Sequence, residues 1–209
     1  MIAIVDYGVG NLFSLKSSLG ALGVEAVVTA DEAAIRRSDK LILPGVGAFG
    51  EAAERLERTG LGRVVQEQAG AGTPLLGICL GMQLLFAESE EYGRHRGLGL
   101  IPGRVVSMEP VVPHGYKVPH MGWNALHFPK SRPVDPLFRY IREGECVYFV
   151  HSYYADDCQE SIIATAEYGP ELTAAVRRGN VMGTQFHPEK SGVVGLNILR
   201  AFCEMEVGV

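Results

Sequence analysis

The fold is decided by one stretch near the middle of the chain, Leu75-Leu76-Gly77-Ile78-Cys79-Leu80-Gly81-Met82-Gln83. Its first four residues form a continuous run without charged or polar side chains, typical of a strand covered on both faces, and a helical run begins at about Leu80. The segment from Gly77 to Gly81 matches the Gly-x-nucleophile-x-Gly elbow, with cysteine as the nucleophile. The stretch therefore predicts a sharp corner from strand to helix with Cys79 at its tip.

Strand-like and helix-like runs alternate on the N-terminal side of this stretch. The predicted strands are 2–5, 24–29 and 40–43, and the predicted helices begin at Leu12 and cover 31–37 and 49–58. Such alternation favours parallel β-α-β units with right-handed crossovers. In sheets of this kind, ligands bind at the carboxyl ends of the strands.

Short strands separated by Pro, Gly and Asp follow beyond residue 98 and indicate hairpins of a mixed sheet. They are predicted at 100–108, 125–128, 146–154, 161–167, 173–178 and 181–185. A last helix is predicted from Val194, Ile198, Ala201, Phe202 and Met205, which fall on one helical face. We expect one α/β domain over residues 1–209, with a mainly parallel central sheet flanked by helices and an antiparallel extension in the C-terminal half.

The composition excludes several classes of function. Of the 209 residues, 47% are hydrophobic and 21% charged, as in globular proteins rather than disordered or fibrous ones. The net charge of −5 argues against a nucleic-acid ligand, because a phosphate backbone selects basic surfaces. No basic leader precedes the first apolar run, and no apolar stretch approaches the roughly 18 residues that span a bilayer. We therefore expect a cytoplasmic protein without membrane contact.

The cysteine pattern predicts free thiols. The chain has four cysteines, Cys79, Cys146, Cys158 and Cys203, without the Cys-x-x-Cys spacing of metal sites. A reducing cytoplasm keeps such thiols unpaired. We expect no metal ion and no cofactor, and we expect the three cysteines other than Cys79 to be packing residues.

A nucleophile needs a base, and the candidate is His187 in Gln185-Phe186-His187-Pro188-Glu189. Pro188 biases His187 towards an extended backbone, in which residues two apart point to the same side. Glu189 can therefore orient the imidazole, and the segment predicts a Cys79, His187 and Glu189 triad. The N-terminus of the helix after Cys79 adds partial positive charge that favours its thiolate.

Attack of a thiolate on a carbonyl also requires donors for the oxyanion. One is the backbone N–H of Leu80, supplied by the elbow itself. The other is expected from the loop Pro44-Gly45-Val46-Gly47, near Val46 or Gly47, because this loop follows a strand and its glycines let the peptide planes turn inward. A glycine-rich turn after a strand also suits a phosphate, but no Walker lysine follows here.

These motifs together resemble the class I (triad) glutamine amidotransferases, and most closely the family of glutaminase subunits of imidazole glycerol phosphate synthases. The resemblance runs nearly end to end. It is carried by Asp6-Tyr7-Gly8-Val9-Gly10-Asn11, Pro44-Gly45-Val46-Gly47-Ala48-Phe49, Gly77-Ile78-Cys79-Leu80-Gly81-Met82-Gln83, Pro119-His120-Met121-Gly122-Trp123-Asn124, His151-Ser152-Tyr153 and His187-Pro188-Glu189-Lys190-Ser191.

The resemblance implies an activity and a partner. Glutamine would be hydrolysed through a γ-glutamyl thioester, and the ammonia would pass to a (β/α)₈-barrel cyclase that makes imidazole glycerol phosphate and an aminoimidazole carboxamide ribonucleotide in histidine biosynthesis. The implied glutamine contacts are Gln83, Ser152 and Tyr153. The residues of this chain that the resemblance implies for docking to the cyclase are Asn11, Met121, Trp123 and Lys190.

Three alternatives stay open. The chain could be the glutaminase of another synthase, a degenerate amidotransferase-like binding module, or a stand-alone hydrolase of the same broad fold. The intact triad argues against the second, and the segments Pro119 to Asn124 and His187 to Glu189 argue against the third. The glycines at 45 and 47 also allow a resting loop that turns its peptide away from the oxyanion, which predicts weak basal activity and strong stimulation by the loaded partner.

Overall fold

A computed structural model describes residues 1–206. In chain order its strands are β1 (Ile2–Val5), β2 (Ala26–Thr29), β3 (Lys40–Leu43), β4 (Leu75–Ile78), β5 (Glu88–Ser89), β6 (His95–Arg96), β7 (Arg104–Ser107), β8 (His120–Ala125), β9 (Cys146–His151), β10 (Tyr153–Asp156), β11 (Ile162–Glu167), β12 (Glu171–Arg178) and β13 (Val181–Thr184). Its α-helices are α1 (Leu12–Ala21), α2 (Glu32–Arg36), α3 (Phe49–Thr59), α4 (Leu61–Gly70), α5 (Leu80–Leu84) and α6 (Gly192–Cys203). Short 3₁₀ turns lie at Pro136–Phe138, Gln159–Ser161 and Pro188–Lys190.

A large sheet forms the centre of the molecule, with the strand order β11-β12-β13-β4-β3-β1-β2. Neighbours from β13 to β2 run parallel, whereas β12 and β11 are added as antiparallel strands. β1, β3 and β4 are buried along their whole length. The continuous apolar runs of β1 and β4 predict this burial, and in β3 it includes Lys40 at the start of the strand. The predicted α/β fold, with a mainly parallel sheet and an antiparallel extension in the C-terminal half, is confirmed.

Helices cover both faces of this sheet because alternate strand residues point to opposite sides. Ile4 lies in a buried cluster with Phe202 of α6 on one face. Its neighbour Val5 lies in the opposite cluster with Leu56 of α3 and Val65 of α4. The sheet therefore separates two apolar cores and leaves the carboxyl ends of its strands free to carry the site.

The predicted helices that begin at Leu12 and cover 31–37 and 49–58 are confirmed as α1, α2 and α3. Helix α4 is missing from the sequence prediction. The signal for α4 is Leu61, Val64 and Val65, which recur at helical spacing and are buried. Gly60, with φ 74°, ends α3 in the left-handed conformation and lets α4 begin at once. Because no loop separates the two helices, the sequence pattern predicts only the first of them and leaves the segment after it unassigned.

Several strand predictions after Cys79 are wrong. The predicted strand 100–108 contains only the shorter β7, and β5 and β6 are missing from the prediction. The predicted strand 146–154 is divided at Ser152, because β9 pairs with β8 while β10 pairs with β7 in a four-stranded sheet of order β10-β7-β5-β6. The predicted strand 125–128 is displaced, since the strand ends at Ala125 and His127 makes only an isolated bridge to Thr165. Apolar alternation continues through both places, so periodicity alone does not show where the chain changes partners.

The closing helix follows the prediction over most of its length. α6 begins at Gly192 and ends at Cys203, so Met205 lies beyond the helix, although it still packs against the core. Within residues 1–206, no helix is both long enough and apolar enough to cross a membrane.

Candidate functional site

Cys79 occupies the corner between β4 and α5. Its backbone has φ 54° and ψ −113°, a conformation that residues other than glycine rarely adopt. The Cys79 N–H donates to the carbonyl of Thr184 over 2.7 Å, and the Gln83 N–H donates to the carbonyl of Cys79 over 3.1 Å. Strained conformations of this kind cluster at functional sites, and this one puts Cys79 on the wall of a cavity.

The two glycines of the elbow are required by close backbone contacts. A Cβ atom on Gly77 would lie 2.7 Å from the carbonyl oxygen of Gly81. A Cβ atom on Gly81 would lie 1.8 Å from the carbonyl oxygen of Leu43 in β3. The strand, the helix and the neighbouring strand can approach this closely only because both positions lack a side chain.

His187 and Glu189 follow β13, the strand next to β4. Nδ1 of His187 lies 2.8 Å from Oε1 of Glu189, and the two side chains are 2% and 3% exposed. The His187 N–H donates to the carbonyl of Tyr148 over 3.0 Å, and the hydroxyl of Ser191 donates to the carbonyl of His187 over 2.7 Å. The pairing agrees with the prediction, and so does the extended backbone of His187, with φ −97° and ψ 97°. The extended segment ends there, because Pro188 and Glu189 lie in the 3₁₀ turn at Pro188–Lys190.

The protonation of His187 is set by its neighbours. Burial lowers the pKa of His187, but the Cys79 sulfur and the Glu189 carboxylate outweigh burial and raise the pKa to about 9. Nε2 of His187 and Oε2 of Glu189 are buried, and neither has a hydrogen-bond partner among the described residues. An imidazolium with an unused N–H on a cavity wall is placed to give a proton to a bound ligand.

The cavity beside Cys79 has a volume of about 270 Å³. It is lined by Val46, Gly47, Cys79, Leu80, Gln83, Glu91, Pro119, Val150, His151, Ser152, Tyr153 and His187. This volume lies just below the range of roughly 300–1,000 Å³ for small-molecule pockets, which favours a small ligand. We refer to it as the Cys79 cavity.

The three residues predicted to carry the oxyanion donors, Val46, Gly47 and Leu80, all line the Cys79 cavity. Gly47 has φ 99°, which only glycine adopts readily. The loop is held at its start by the buried hydroxyl of Tyr7, which donates to the carbonyl of Pro44 over 2.7 Å. Burial, and then the charge of Cys79, raise the pKa of Tyr7 above its usual value, so this hydroxyl keeps its proton.

Gln83 and the backbone of Tyr153 meet behind the cavity. Nε2 of Gln83 donates to the carbonyl of Tyr153 over 3.1 Å and to Oε1 of Gln185 over 2.9 Å. Nδ1 of His151 donates to the same Tyr153 carbonyl over 2.8 Å. Because Gln83 gives both amide hydrogens to the protein, only its Oε1 can contact a ligand, and it can only accept.

Several residues of this site are missing from the predicted set of site residues, and the two with side chains able to act on a ligand or on Cys79 are Glu91 and Gln185. Glu91 lines the Cys79 cavity, and its Oε2 accepts from the N–H of Phe49, the first residue of α3, over 2.5 Å. Gln185 is fully buried, and its Nε2 lies 3.7 Å from the sulfur of Cys79. Gln185 stands two residues before His187, which is a usable signal, whereas nothing distinguishes Glu91 from the acidic residues beside it.

The predicted docking residues are all at least partly exposed. Met121 and Trp123 of β8 are 62% and 54% exposed, Lys190 is exposed and Asn11 is partly buried. The ring of Trp123 lies 5.9 Å from the ring of Tyr148, the residue whose carbonyl binds the backbone of His187. The lone tryptophan is therefore a surface residue adjoining the site and not a core residue.

The other cysteines differ from one another. Cys158 is buried and Cys203 packs against the core, but Cys146 is exposed, so its predicted packing role is wrong. Cys146 begins β9, where the alternation of the strand turns its side chain outward. Across the described residues, no group of three or more His, Cys, Asp or Glu side chains could hold a metal ion.

Comparison with known sequences identifies relatives over the whole chain. The family profile "Glutamine amidotransferase class-I" matches residues 3–205. The imidazole glycerol phosphate synthase subunit HisH of Geobacillus kaustophilus is 51% identical, with 100% of this chain and 98% of the relative covered. The protein of the same name from Syntrophotalea carbinolica is 50% identical, covering 98% of this chain and 100% of the relative.

Comparison with solved structures agrees at the level of the fold. A crystal structure described as a glutamine amidotransferase aligns with a TM-score of 0.75 at 20% identity, covering 97% of both chains. A structure of PurLQS from Thermotoga maritima aligns with a TM-score of 0.74 at 18% identity, covering 97% of this chain and 96% of the other. At such identities the likeness concerns the arrangement of the elements.

Proposed function

Because the chain belongs to the class I glutamine amidotransferase family, we propose that Cys79, His187 and Glu189 hydrolyse the side-chain amide of glutamine in the Cys79 cavity. The chain is the glutaminase subunit of an imidazole glycerol phosphate synthase and serves histidine biosynthesis. The relatives that indicate this are 50–51% identical to it over nearly the whole length of both chains. The observation that carries the proposed chemistry is the buried His187–Glu189 pair, whose unpartnered Nε2 shares a cavity wall with the strained Cys79.

The first half of the reaction forms a thioester. The Cys79 thiolate attacks the carboxamide carbon, and the developing oxyanion takes hydrogen bonds from the Leu80 N–H and from an N–H near Val46 or Gly47. His187, protonated at neutral pH, gives the proton on Nε2 to the leaving nitrogen. The C–N bond breaks, ammonia departs, and a γ-glutamyl thioester with neutral His187 remains.

The second half regenerates the enzyme. Neutral His187 takes a proton from water, the hydroxide adds to the thioester carbon, and collapse expels the Cys79 thiolate. The γ-carboxylic acid that results gives its proton to solvent and leaves as glutamate. Glu189 accepts from Nδ1 throughout, which keeps Nε2 directed at the reacting atoms and stabilises the imidazolium. Proton and charge counts return to their starting values at the end of each cycle.

The remaining wall residues bind the amino-acid end of glutamine. Glu91 carries a carboxylate on the cavity wall, and we propose that it pairs with the α-ammonium group. Oε1 of Gln83 is a second acceptor for that group, since both amide hydrogens of Gln83 are used. The backbone at Ser152 and Tyr153 supplies the contacts to the substrate between β9 and β10.

Ammonia released into water is diluted and protonated, so a useful glutaminase delivers it directly to the cyclase subunit. We propose that Asn11, Met121, Trp123 and Lys190 form the docking surface for that subunit, because all four are at least partly exposed and Trp123 lies beside Tyr148, whose carbonyl accepts from the His187 N–H. A cytoplasmic location and a single glutamine amidotransferase domain over residues 1–209 complete the proposal.

The test is glutamate release from glutamine by the purified chain, alone and with a barrel cyclase and its ribonucleotide substrate. We expect low activity alone, a steep rise with the loaded cyclase, and loss of activity in Cys79→Ala. The matched control is Cys146→Ala, because Cys146 is an exposed thiol outside the cavity. Activity in Cys79→Ala equal to that of the parent would refute the proposed nucleophile.

The other outcomes separate the alternatives. Activity that ignores the cyclase but requires Cys79 would move the chain to another synthase or to a stand-alone hydrolase. A folded chain that binds glutamine and releases no glutamate under any condition would favour the degenerate binding module.

A further inference from the structure

Two hydrogen-bonding groups, the carbonyl of Val150 and the amide of Gln185, lie beside the sulfur of Cys79, and they favour opposite protonation states. The carbonyl of Val150 lies 3.9 Å from the sulfur and can only accept, so it favours the thiol. The amide nitrogen of Gln185 lies 3.7 Å from the sulfur and can only donate, so it favours the thiolate. The mechanism above assigns no role to Gln185.

The orientation of the Gln185 amide follows from a backbone carbonyl. The carbonyl of Tyr153 only accepts, so the group of Gln83 that lies 3.1 Å from it is the NH₂ group. That NH₂ group also donates to Gln185 over 2.9 Å, which identifies the nearer group of Gln185 as its oxygen. The NH₂ group of Gln185 therefore faces Cys79.

The Tyr153 carbonyl, at the other end of this series of hydrogen bonds, is also fixed in position. His151 donates to the Tyr153 carbonyl from Nδ1, and its Nε2 lies 3.1 Å from Nδ1 of His120. Burial lowers the pKa of His151 to about 4, so the ring is neutral and keeps a single proton for this bond. The Tyr153 carbonyl thus accepts two hydrogen bonds, from Gln83 and His151. The fixed carbonyl orients the Gln83 amide, and the Gln83 amide in turn orients that of Gln185.

We propose that Gln185 is a positioning residue that orients and stabilises the Cys79 thiolate through its amide N–H, held in this role by Gln83 and the carbonyl of Tyr153. The proposal rests on the proposed function of Cys79 as nucleophile. Gln185 and Gln83 are 0% and 5% exposed, so little water competes for the sulfur. A donor to an anion is most effective where water is excluded.

The experiment measures alkylation of Cys79 by iodoacetamide between pH 5 and pH 10 in the full chain, with the modified cysteine identified by peptide mass spectrometry. Gln185→Met keeps the length of the side chain and removes the donor. We expect the midpoint of the pH–alkylation profile to move upward by about one to two pH units, the amount expected for a lost hydrogen bond to a charged group. Glutaminase kcat with the loaded cyclase should fall about tenfold or more for the same reason.

A second variant and a control keep the result interpretable. Gln83→Met removes the residue that orients the Gln185 amide, so it should move the midpoint in the same direction by a smaller amount. Gln66→Met is the control, because Gln66 is an exposed glutamine on α4 that donates to Leu98 and lines no part of the Cys79 cavity. Its midpoint and kcat should equal those of the parent chain.

The outcomes distinguish this proposal from the proposed function. An unchanged midpoint in folded Gln185→Met, with Cys79→Ala inactive, would overturn the role of Gln185 and leave the nucleophile in place. If Gln185→Met does not fold by circular dichroism, Gln83→Met decides, and an unchanged midpoint there overturns the proposal. Activity retained in Cys79→Ala would remove the proposed function and this inference together.

Discussion

Nδ1 of His187 lies 2.8 Å from Oε1 of Glu189, and the two side chains are only 2% and 3% exposed. The carboxylate is thereby committed to one ring nitrogen and leaves Nε2 as the only site for proton exchange with a ligand. A buried pair of this kind holds its charge through mutual interaction, so removing any one charged neighbour changes the titration of the imidazole.

The first prediction concerns the titration of His187. In the parent chain its pKa is raised to about 9 despite burial, with Cys79 and Glu189 as the causes. In Cys79→Ala the pKa should fall, because one of the two groups that favour the imidazolium is lost while burial remains. NMR titration of the labelled imidazole measures both values, and equal midpoints in the two chains would show that the sulfur does not interact with the ring.

The second prediction concerns stability against pH. The folded-state pKa of His187 lies above its ordinary value of 6.5, at about 9. The stabilisation is therefore fully present below pH 6.5 and is lost as the pH rises through 9. The free energy of unfolding, measured with urea, should fall over this window by a few kcal/mol at most, about 1.4 kcal/mol for each pH unit of the shift. His187→Asn should flatten this dependence, whereas His114→Asn, at an exposed histidine, should retain it.

The third prediction concerns the elbow. Gly81→Ala forces a methyl group to 1.8 Å from the Leu43 carbonyl, so strand β3 or helix α5 must move. We expect the free energy of unfolding to fall by about 3 kcal/mol. Gly70→Ala is the matched control at the last residue of α4, where a Cβ meets nothing within 4 Å. That variant should be stabilised by about 0.5–1 kcal/mol, and equal effects of the two substitutions would contradict the contact.

The fourth prediction concerns Glu91. Glu91→Gln removes the charge proposed to pair with the α-ammonium of glutamine, so KM should rise about tenfold or more, with a smaller change in kcat. Glu90→Gln is the control, since the carboxylate of Glu90 pairs with Arg104 and lines no part of the Cys79 cavity. A fall in kcat with unchanged KM would instead assign Glu91 to the bond with Phe49 at the start of α3.

The fifth prediction concerns the docking surface. Trp123→Ala should weaken binding of the cyclase by about 2 kcal/mol or more, as expected for an aromatic interface residue, and change the stability of the isolated chain by less than about 0.5 kcal/mol. Val134→Ala is the control, at a residue that is 52% exposed and lies outside β8, in the loop before the 3₁₀ turn at Pro136–Phe138. Isothermal titration calorimetry measures the affinity, and parent-like affinity in Trp123→Ala would place the interface elsewhere.

The local part of the fold was open to prediction because it depends on neighbours in sequence. The strand and helix on either side of Cys79, the buried strands β1 and β3, and the pairing of His187 with Glu189 all follow from apolar runs, glycine positions or a spacing of two residues. The errors lie where distant partners decide. The break at Ser152 is one example, because periodicity is the same whether the next strand pairs with β8 or with β7.

A cysteine flanked at two residues by glycines, and a histidine two residues before a glutamate, are enough to predict the kind of chemistry. The surroundings of that cysteine depend instead on residues that are distant in the chain and meet only in the folded molecule. The amide of Gln185 reaches a sulfur 106 positions earlier in the chain, and Gln83 reaches the Tyr153 carbonyl across 70 positions. Such contacts exist because parallel packing places β13 beside β4 and brings β10 over their carboxyl ends. A hydrogen bond between groups so far apart leaves no periodic trace in the sequence, since its geometry is set by the sheet and not by the residues between its partners.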